Sequence, residues 1–427
     1  MFTYTEFSIK HLTNRFLLDL LYPSIYLQNK MRNILFLILI GSISVQAQST
    51  TRWYKGNTHT HTLWSDGDDF PELVVDWYKS RDYDFLALSD HNTLADKEFW
   101  KEVPEHPFRQ QRFRDYLKKY GEDWVDYKTD SAGKISVRLK TLKEFRPLFE
   151  EKEKFLLIQA EEVSDKFGDK PIHMNAVNVK ELLHPMGGNS VMEVMQNNLD
   201  AMYEQRQRTG QPMFTHVNHP NFIWAIKADD MRGLRGERFF EVYNGHPLVH
   251  NYGDSTTFGM DELWDDLLVS YLTDNKPPLY GLATDDSHNY LESKVGLSNP
   301  GRGWIMVKAA ELTPEALIGA MESGDFYATT GVLLSDVKTS QETLSVVIDT
   351  KPETNYTIQF WGGRVKGKEN QERVRVLLKE VKGTSASYKL NPDDLYVRAK
   401  ILSDTPQKNP YQEGDVETAW TQPLVRK

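Results

Sequence analysis

The sequence predicts an α/β protein: a parallel sheet or barrel whose strands are separated by helices, followed by a small all-β domain of sandwich type. Three observations predict it. Short apolar runs of strand length alternate with amphipathic helical stretches between about residue 70 and residue 324. Polar segments rich in His, Asp and Glu sit at the carboxyl ends of several of those runs, where the strands of a barrel open onto one mouth. From about Ser335 the helical periodicity stops, and short strands separated by turn residues take over.

The elements follow in order. Asp69-Phe70-Pro71 starts a helix, because Pro at an early helical position has no N–H to leave unpaired, and Leu73, Val74, Trp77 and Tyr78 recur at helical spacing. Phe85 to Leu88, Phe155 to Ile158, Pro212 to Thr215, Phe239 to Tyr243 and Pro278 to Leu282 read as short buried strands. Val191 to Arg208 and Asp261 to Leu272 read as amphipathic helices, and Thr313-Pro314 opens a last helix that Gly324 closes. Beyond it, Thr343 to Ile348, Tyr356 to Phe360, Arg373 to Leu378 and Leu395 to Ile401 have strand character. The expected division is an N-terminal extension with signal over residues 1–47, a barrel over 48–334 and an all-β domain over 335–427. The charged, aromatic stretch Pro104 to Lys154 is too long for an ordinary connection. It is expected either to wall the substrate site or to pack its aromatics on the barrel as a helical insertion.

Composition narrows the function. Of 427 residues, 39% are hydrophobic and 26% charged, which a folded chain needs and a disordered tail lacks. The net charge of −10 at pH 7 argues against a protein that coats nucleic acid, although bound cations would still admit a phosphate substrate. With no cysteine, thiolate metal sites, disulfides and cysteine nucleophiles are excluded, so a metal here would be held by His, Asp and Glu.

The amino end reads as an address. Met31-Arg32, the apolar run Asn33 to Ile40 and Val45-Gln46-Ala47 resemble a secretory signal cut after Ala47, with an apolar stretch too short for a stable membrane span. Met31 is then the expected start, and the protein is expected in the periplasm or outside the cell. Cleavage would take away Lys10, Arg15, Lys30 and Arg32 against Glu6 and Asp19, leaving the rest more acidic still.

Six segments carry the chemistry. The first is Asn57-Thr58-His59-Thr60-His61, continuing to Ser65-Asp66-Gly67. In extended backbone, residues two apart face the same side, so His59 and His61 present two imidazoles together, and Asp66 adds a carboxylate. The others are Ser89-Asp90-His91-Asn92, Glu161-Glu162-Val163-Ser164, His173-Met174-Asn175, Thr215-His216-Val217-Asn218-His219-Pro220 and Asp285-Asp286-Ser287-His288. They hold seven of the chain's twelve histidines; His11, His106, His184, His246 and His250 lie elsewhere. Convergence of these segments at one mouth would supply ligands for two or three ions, since one ion takes about four to six. Carboxylates gathered there without cations would repel one another.

This combination resembles the PHP superfamily, named for polymerase and histidinol phosphatase domains, over about Trp53 to Gly331. The resemblance implies a distorted (β/α)7 barrel with a trinuclear metal cluster at its mouth. It implies that His59, His61, Glu162 and Asp286 hold one ion, that Glu162 bridges to a second held by His173 and His219, and that Asp66, His91 and His288 hold a third. Glu162 is preferred to Glu161 because Val163-Ser164 follows it, His219 to His216 because it precedes Pro220, and Asp286 to Asp285 for its spacing to His288. Asp90 is expected to orient a ligand imidazole.

The expected activity is metal-dependent hydrolysis of a small-molecule phosphoester, mono- or diester, by a water activated between two divalent ions (Zn, Mn or Fe), with Glu162, His288 and Asp90 as catalytic residues. His288 would assist the leaving oxygen. By position alone Lys227 and Arg302 are candidates for a phosphate oxygen, with ordinary surface charge the favoured reading, and Trp53, Tyr54 and Trp224 either shape the pocket or serve as core and packing surface. Hydrolysis of carbamate, aryl ester or amide bonds is the alternative, because an activated water attacks carbonyl carbon as well as phosphorus. A non-catalytic protein that binds a surface or a glycan through its all-β domain is the second. A polymerase-associated nuclease conflicts with the signal and the acidic charge.

Overall fold

The computed structural model describes residues 51–366 and 372–426; the signal segment Met31–Ala47 and the residues before it lie outside the described residues. The chain runs β1 (Arg52–Asn57), α1 (Pro71–Lys79), β2 (Phe85–Leu88), β3 (Phe99–Glu102), α2 (Pro107–Tyr120), β4 (Tyr127–Thr129), β5 (Ile135–Leu139), α3 (Leu142–Phe149), β6 (Leu156–Phe167) and β7 (Lys170–Val177). It continues with α4 (Val191–Thr209), β8 (Phe214–Val217), α5 (Ala228–Arg232), β9 (Phe239–Asn244), α6 (Met260–Thr273), β10 (Tyr280–Thr284), β11 (Trp304–Ala309), α7 (Pro314–Glu322) and β12 (Phe326–Thr329). The rest is all strand: β13 (Leu333–Thr339), β14 (Thr343–Asp349), β15 (Tyr356–Lys366), β16 (Glu372–Lys382), β17 (Ser385–Lys389), β18 (Asp394–Pro406), β19 (Val416–Thr421) and β20 (Leu424–Val425).

The helices begin and end where local chemistry says they should. Pro71 and Pro314 occupy first-turn positions. Ser190 caps α4 by accepting the Glu193 N–H, and Gly210 ends it in the left-handed conformation at φ 67°. No helix of the described residues is long and apolar enough to cross a membrane.

The protein is mixed α/β. Seven strands lie side by side in the order β1-β2-β6-β7-β8-β9-β10. β1 with β2, β2 with β6, β8 with β9 and β9 with β10 run parallel. β7 departs from the expected alternation: it is antiparallel to both neighbours and joined to β6 by a hairpin with no helix between them. The sequence marks only the segment around His173 to Asn175, as a ligand segment, because a strand reversed by the tight Gly168 turn leaves no strand–helix–strand signature. Beyond their carboxyl ends the first and last of the seven meet: His61 N–H donates to the Ser287 carbonyl at 3.1 Å and Asp286 N–H to that of His59 at 3.1 Å.

On its other edge β1 pairs with β11, and the sheet continues antiparallel through β12, β19, β18 and β15 to β16. The C-terminal strands are thus hydrogen-bonded into the same sheet through β12 and β19. A second sheet, β13-β14-β17, faces them. Leu344, Val346 and Ile348 from one sheet and Ile358, Phe360, Val397 and Ile401 from the other fill the core between the two. Helix α6 ties this part to the parallel strands: the fully buried Arg398 donates to Asp265 at 2.7 and 2.6 Å, and Tyr396 Oη donates to the same carboxylate at 2.7 Å.

The stretch between β2 and β6 holds two helices and the small antiparallel sheet β3-β5-β4, so it is not purely helical. Its aromatics pack inwards. Tyr116 stacks on Phe70 with ring centroids 4.1 Å apart, and Tyr116 Oη and Trp124 Nε1 both donate to the buried Glu72 of α1.

Candidate metal centre

The mouth is built by short extended segments that prolong the strands. After β1 the chain stays extended, with Thr60 N–H donating to Ser89 Oγ at 3.0 Å and Ser89 N–H returning to the Thr60 carbonyl. That backbone turns His59 and His61 to one side, their ring centroids 5.1 Å apart. The chain then doubles back at Gly67, where a Cβ would stand 2.7 Å from the His61 carbonyl carbon and the Thr62 nitrogen, so only glycine lets Asp66 reach over the imidazoles. Asn92, His219 and Asp286 adopt positive φ (48°, 26° and 48°), a cost of the kind that functional sites carry.

Glu162, at the point where β6 passes the mouth, is the hub. Its carboxylate lies 3.3 Å from His59 Nε2, 3.2 Å from His61 Nε2, 2.8 Å from His91 Nδ1, 3.0 Å from His173 Nδ1 and 3.4 Å from His219 Nε2. Asp286 is a second hub, 3.3 Å from His59 Nε2, 3.2 Å from His61 Nε2 and 3.6 Å from His288 Nδ1. Asp66 closes the outer side, 3.3 Å from His288 Nε2 and 3.6 Å from His91 Nε2. Four sets of atoms lie within 4.8 Å of one another: His61, Asp66, His91 and His288; His59, His61 and Asp286; His59, Glu162 and His219; His91, Glu162 and His173. All nine side chains that the resemblance picks out therefore gather in one place, although His173 groups with His91 rather than with His219. His59, His61 and Glu162 are fully buried, and Asp66 has 57% of its side chain exposed, so the cluster opens to solvent past Asp66.

The neighbouring alternatives point elsewhere. Successive residues of a strand face opposite ways, and Glu161 is turned from the cluster to accept the Leu183 N–H at 2.8 Å. Asp285 is occupied by Tyr78 Oη and by the N–H groups of Gly301, Arg302 and Gly303. His216, inside β8, has both ring nitrogens buried without a hydrogen-bond partner; burial, partly opposed by Glu241, holds it down at about 4.

Three expectations need correction. Asp90 bonds no imidazole: it accepts the N–H groups of Thr62 and Ser65 and both their hydroxyls, and so shapes the turn that carries Asp66. Arg302 is buried and its two terminal nitrogens donate to the carbonyls of Gly245, Leu297 and Lys294, so the guanidinium ties loops together, and the Nε that has no partner is itself buried. Trp53 and Tyr54 sit at the start of β1, far along the strand from the mouth; Trp53 packs edge-on against Tyr327 and Tyr54 is buried. Lys227 is exposed just before α5, and Trp224 stacks flat on His250 at 4.1 Å.

The electrostatics are those of acids and imidazoles forced together. Burial pushes His59 down, but Asp286, Glu162 and Glu241 outweigh it and hold the ring well above its usual range. For His91 burial likewise yields to Glu162 and Asp66, which lift it to about 11. Conversely burial would raise Glu162 and Asp286, yet the surrounding imidazoles hold both well below the usual carboxylate range. His59 Nε2, His61 Nε2 and Glu162 Oε2 are nonetheless buried without a hydrogen-bond partner among the described residues. Buried polar atoms that converge unpaired, on imidazole and carboxylate groups, fit divalent cations of the borderline type.

The supporting residues were invisible from motif spacing. Glu241 Oε1 lies 2.7 Å from His59 Nδ1, while its Oε2 accepts the His219 N–H and Asn244 Nδ2 at 2.8 and 2.7 Å. Asn218 Nδ2 donates to Glu162 Oε1 at 2.8 Å, and Ser164 Oγ bonds His91 Nδ1. The signal for Glu241 was present as a lone acid within the apolar run Phe239 to Tyr243, since a carboxylate in a buried strand must be paired.

No protein-family model matches the chain, and no curated protein matches it. Similar solved structures include a two-domain protein from Bacteroides vulgatus ATCC 8482 containing a predicted PHP-like metal-dependent phosphoesterase, at 13% identity and TM-score 0.36, over 87% of this chain and 96% of that one. A proposed metal-dependent phosphoesterase from Bifidobacterium adolescentis ATCC 15703 is 11% identical, with TM-score 0.28, over 56% of this chain and 88% of that one. An amidohydrolase from Chromobacterium violaceum with bound sulfate and no metal is 12% identical, with TM-score 0.25, over 55% and 87%.

Proposed function

We propose that the protein is a metal-dependent hydrolase of phosphoesters, with a distorted (β/α)7 barrel of the PHP type and an exported location given by its signal segment. The observation that carries the reading is the convergence of six histidines and three carboxylates on one solvent-open point, with three ligand atoms buried and outside any hydrogen bond among the described residues. A scaffold or glycan-binding protein has no use for that arrangement, because gathering these groups costs desolvation that bound cations would offset.

His59, His61, Asp66, His91, Glu162, His173, His219, Asp286 and His288 would hold two or three divalent ions (Zn, Mn or Fe). When bound, such ions lower the pKa of a coordinated water and draw charge from a phosphoryl oxygen. The chain's own residues do the rest. Glu162 and Asp286, each facing several imidazoles, set the spacing of the cluster. Glu241 and Asn218 fix the rotation of His59 and of the Glu162 carboxylate. His288 stands at the open side, its Nδ1–H donating to the Asp286 carbonyl at 2.9 Å, which leaves Nε2 beside Asp66 as the ligand atom and makes His288 a ligand rather than the acid for the leaving oxygen.

The test is an activity screen of metal-reconstituted protein lacking residues 1–47 against chromogenic phosphomonoesters, phosphodiesters, carboxylate esters and carbamates. Hydrolysis of phosphoesters that a chelator abolishes is expected. Turnover confined to the carbonyl compounds would transfer the protein to the carboxylate or carbamate hydrolases, and a preparation that binds no transition metal would remove it from the hydrolases.

A further inference from the structure

The loop after β9 carries a histidine that the metal cluster does not use. His246 belongs to none of the four ligand sets, yet its ring packs edge-on against His288 with centroids 5.6 Å apart and against Phe222 at 5.4 Å. It is held there rigidly. Its N–H donates to Asn244 Oδ1 at 2.7 Å, and Asn244 Nδ2 in turn donates to Glu241 and, at 3.2 Å, to Asp286.

The hydrogen bonding selects the tautomer. The backbone N–H of Leu248 donates to His246 Nδ1 at 3.2 Å, so Nδ1 must offer a lone pair and the ring proton must sit on Nε2. Nε2 makes no hydrogen bond among the described residues, and the ring is only half-buried. Arg302 is engaged with loop carbonyls, Arg112 with Asp69, and Lys101 with the Ser65 carbonyl at 2.8 Å.

We propose that His246 is the mouth's own hydrogen-bond donor to substrate: its Nε2–H contacts a phosphoryl oxygen and helps to hold the phosphate against the cluster. The assignment rests on the phosphoester reading. It makes His246 a contact residue that works as a fixed neutral donor, where proteins more often use arginine.

The experiment uses metal-loaded protein carrying 15N-labelled histidine, with His246→Asn and His246→Gln. Asn retains an oxygen for the Leu248 N–H but has no donor at the Nε2 position; Gln places an amide N–H near it. The His246 ring, identified by its disappearance in the Asn variant, is expected to show the neutral Nε2–H tautomer between pH 6 and 8. His246→Asn should lower kcat/KM for 4-nitrophenyl phosphate about 10²-fold and weaken inhibition by inorganic phosphate, with metal content unchanged, and His246→Gln should recover part of both. A ring protonated on Nδ1, a fully active Asn variant or a loss of bound metal would each overturn the assignment, the last by making His246 a ligand. Failure of the phosphoester reading looks different: the unsubstituted enzyme itself then cleaves no phosphoester, and the proposed contact falls with it.

Discussion

Glu241 holds His59 from behind. Its Oε1 lies 2.7 Å from His59 Nδ1, both side chains are fully buried, and the other imidazole nitrogen is thereby turned towards Glu162 and Asp286. A carboxylate behind a ligand imidazole raises its basicity and fixes its rotation. Glu241→Gln should therefore weaken metal binding about 10–100-fold with the nine ligands intact. Metal titration followed by calorimetry reads this; unaltered affinity would mean that His59 is oriented by packing alone.

The adjacent acids Glu161 and Glu162 should behave as opposites. Glu162→Gln removes the charge that faces five imidazoles and should cost bound metal and at least about 10²-fold in activity. Glu161→Gln, directed at Leu183 N–H, should leave metal content as it was. Elemental analysis of the two purified variants checks the contrast.

Glu237 makes stability depend on pH. Burial pushes its carboxyl up to about 7 against the donors Thr215, Phe239 and Arg238, whereas an unfolded chain titrates it near 4.5. Between those values the folded state keeps a proton that the unfolded state has lost, so stability falls as pH rises from about 4.5 to 7, by up to about 1.4 kcal/mol per pH unit, and levels off above. Glu237→Gln should melt higher than the unsubstituted protein at pH 8 and equally near pH 4, as thermal unfolding across that range will show.

The link between α6 and the C-terminal strands is a buried charge pair. Asp265 receives Arg398, Tyr396 and, at 2.6 Å, Arg375 Nε. Asp265→Ala takes two charge-assisted hydrogen bonds from the fully buried Arg398 guanidinium and leaves it Asp261 at 2.8 Å, and should cost about 1.5–3 kcal/mol in unfolding free energy. Denaturant titration measures it; a change below about 1 kcal/mol would show that the strands dock by apolar contact.

Removing the cations should destabilise the folded chain, since ions that bind only the native state stabilise it by mass action, by about 2.7 kcal/mol at a hundredfold excess over Kd. Melting in chelator should therefore fall by several degrees and recover on adding back the metal. An unchanged melting temperature would separate the cluster from any resident ion.

Much of this molecule is decided locally. Helix starts at Pro71, Ser190 and Pro314, stops at Gly210 and Gly324, and the change to all-strand texture near Ser335 depend on neighbours in the chain, and the sequence determined them. It also determined which histidines and acids stand just beyond strand ends, because His-x-His, Asp-His and Asp-x-His are short-range patterns. Tertiary structure alone decided the antiparallel β7, the pairing of β12 with β19 that carries the sheet into the C-terminal strands, and the hydrogen-bond partners of Glu241, Asn218 and His246. The physical reason is shared by all three: each depends on a hydrogen-bond partner brought near by folding, and a buried polar group records its need for a partner in the sequence without recording which one it will meet.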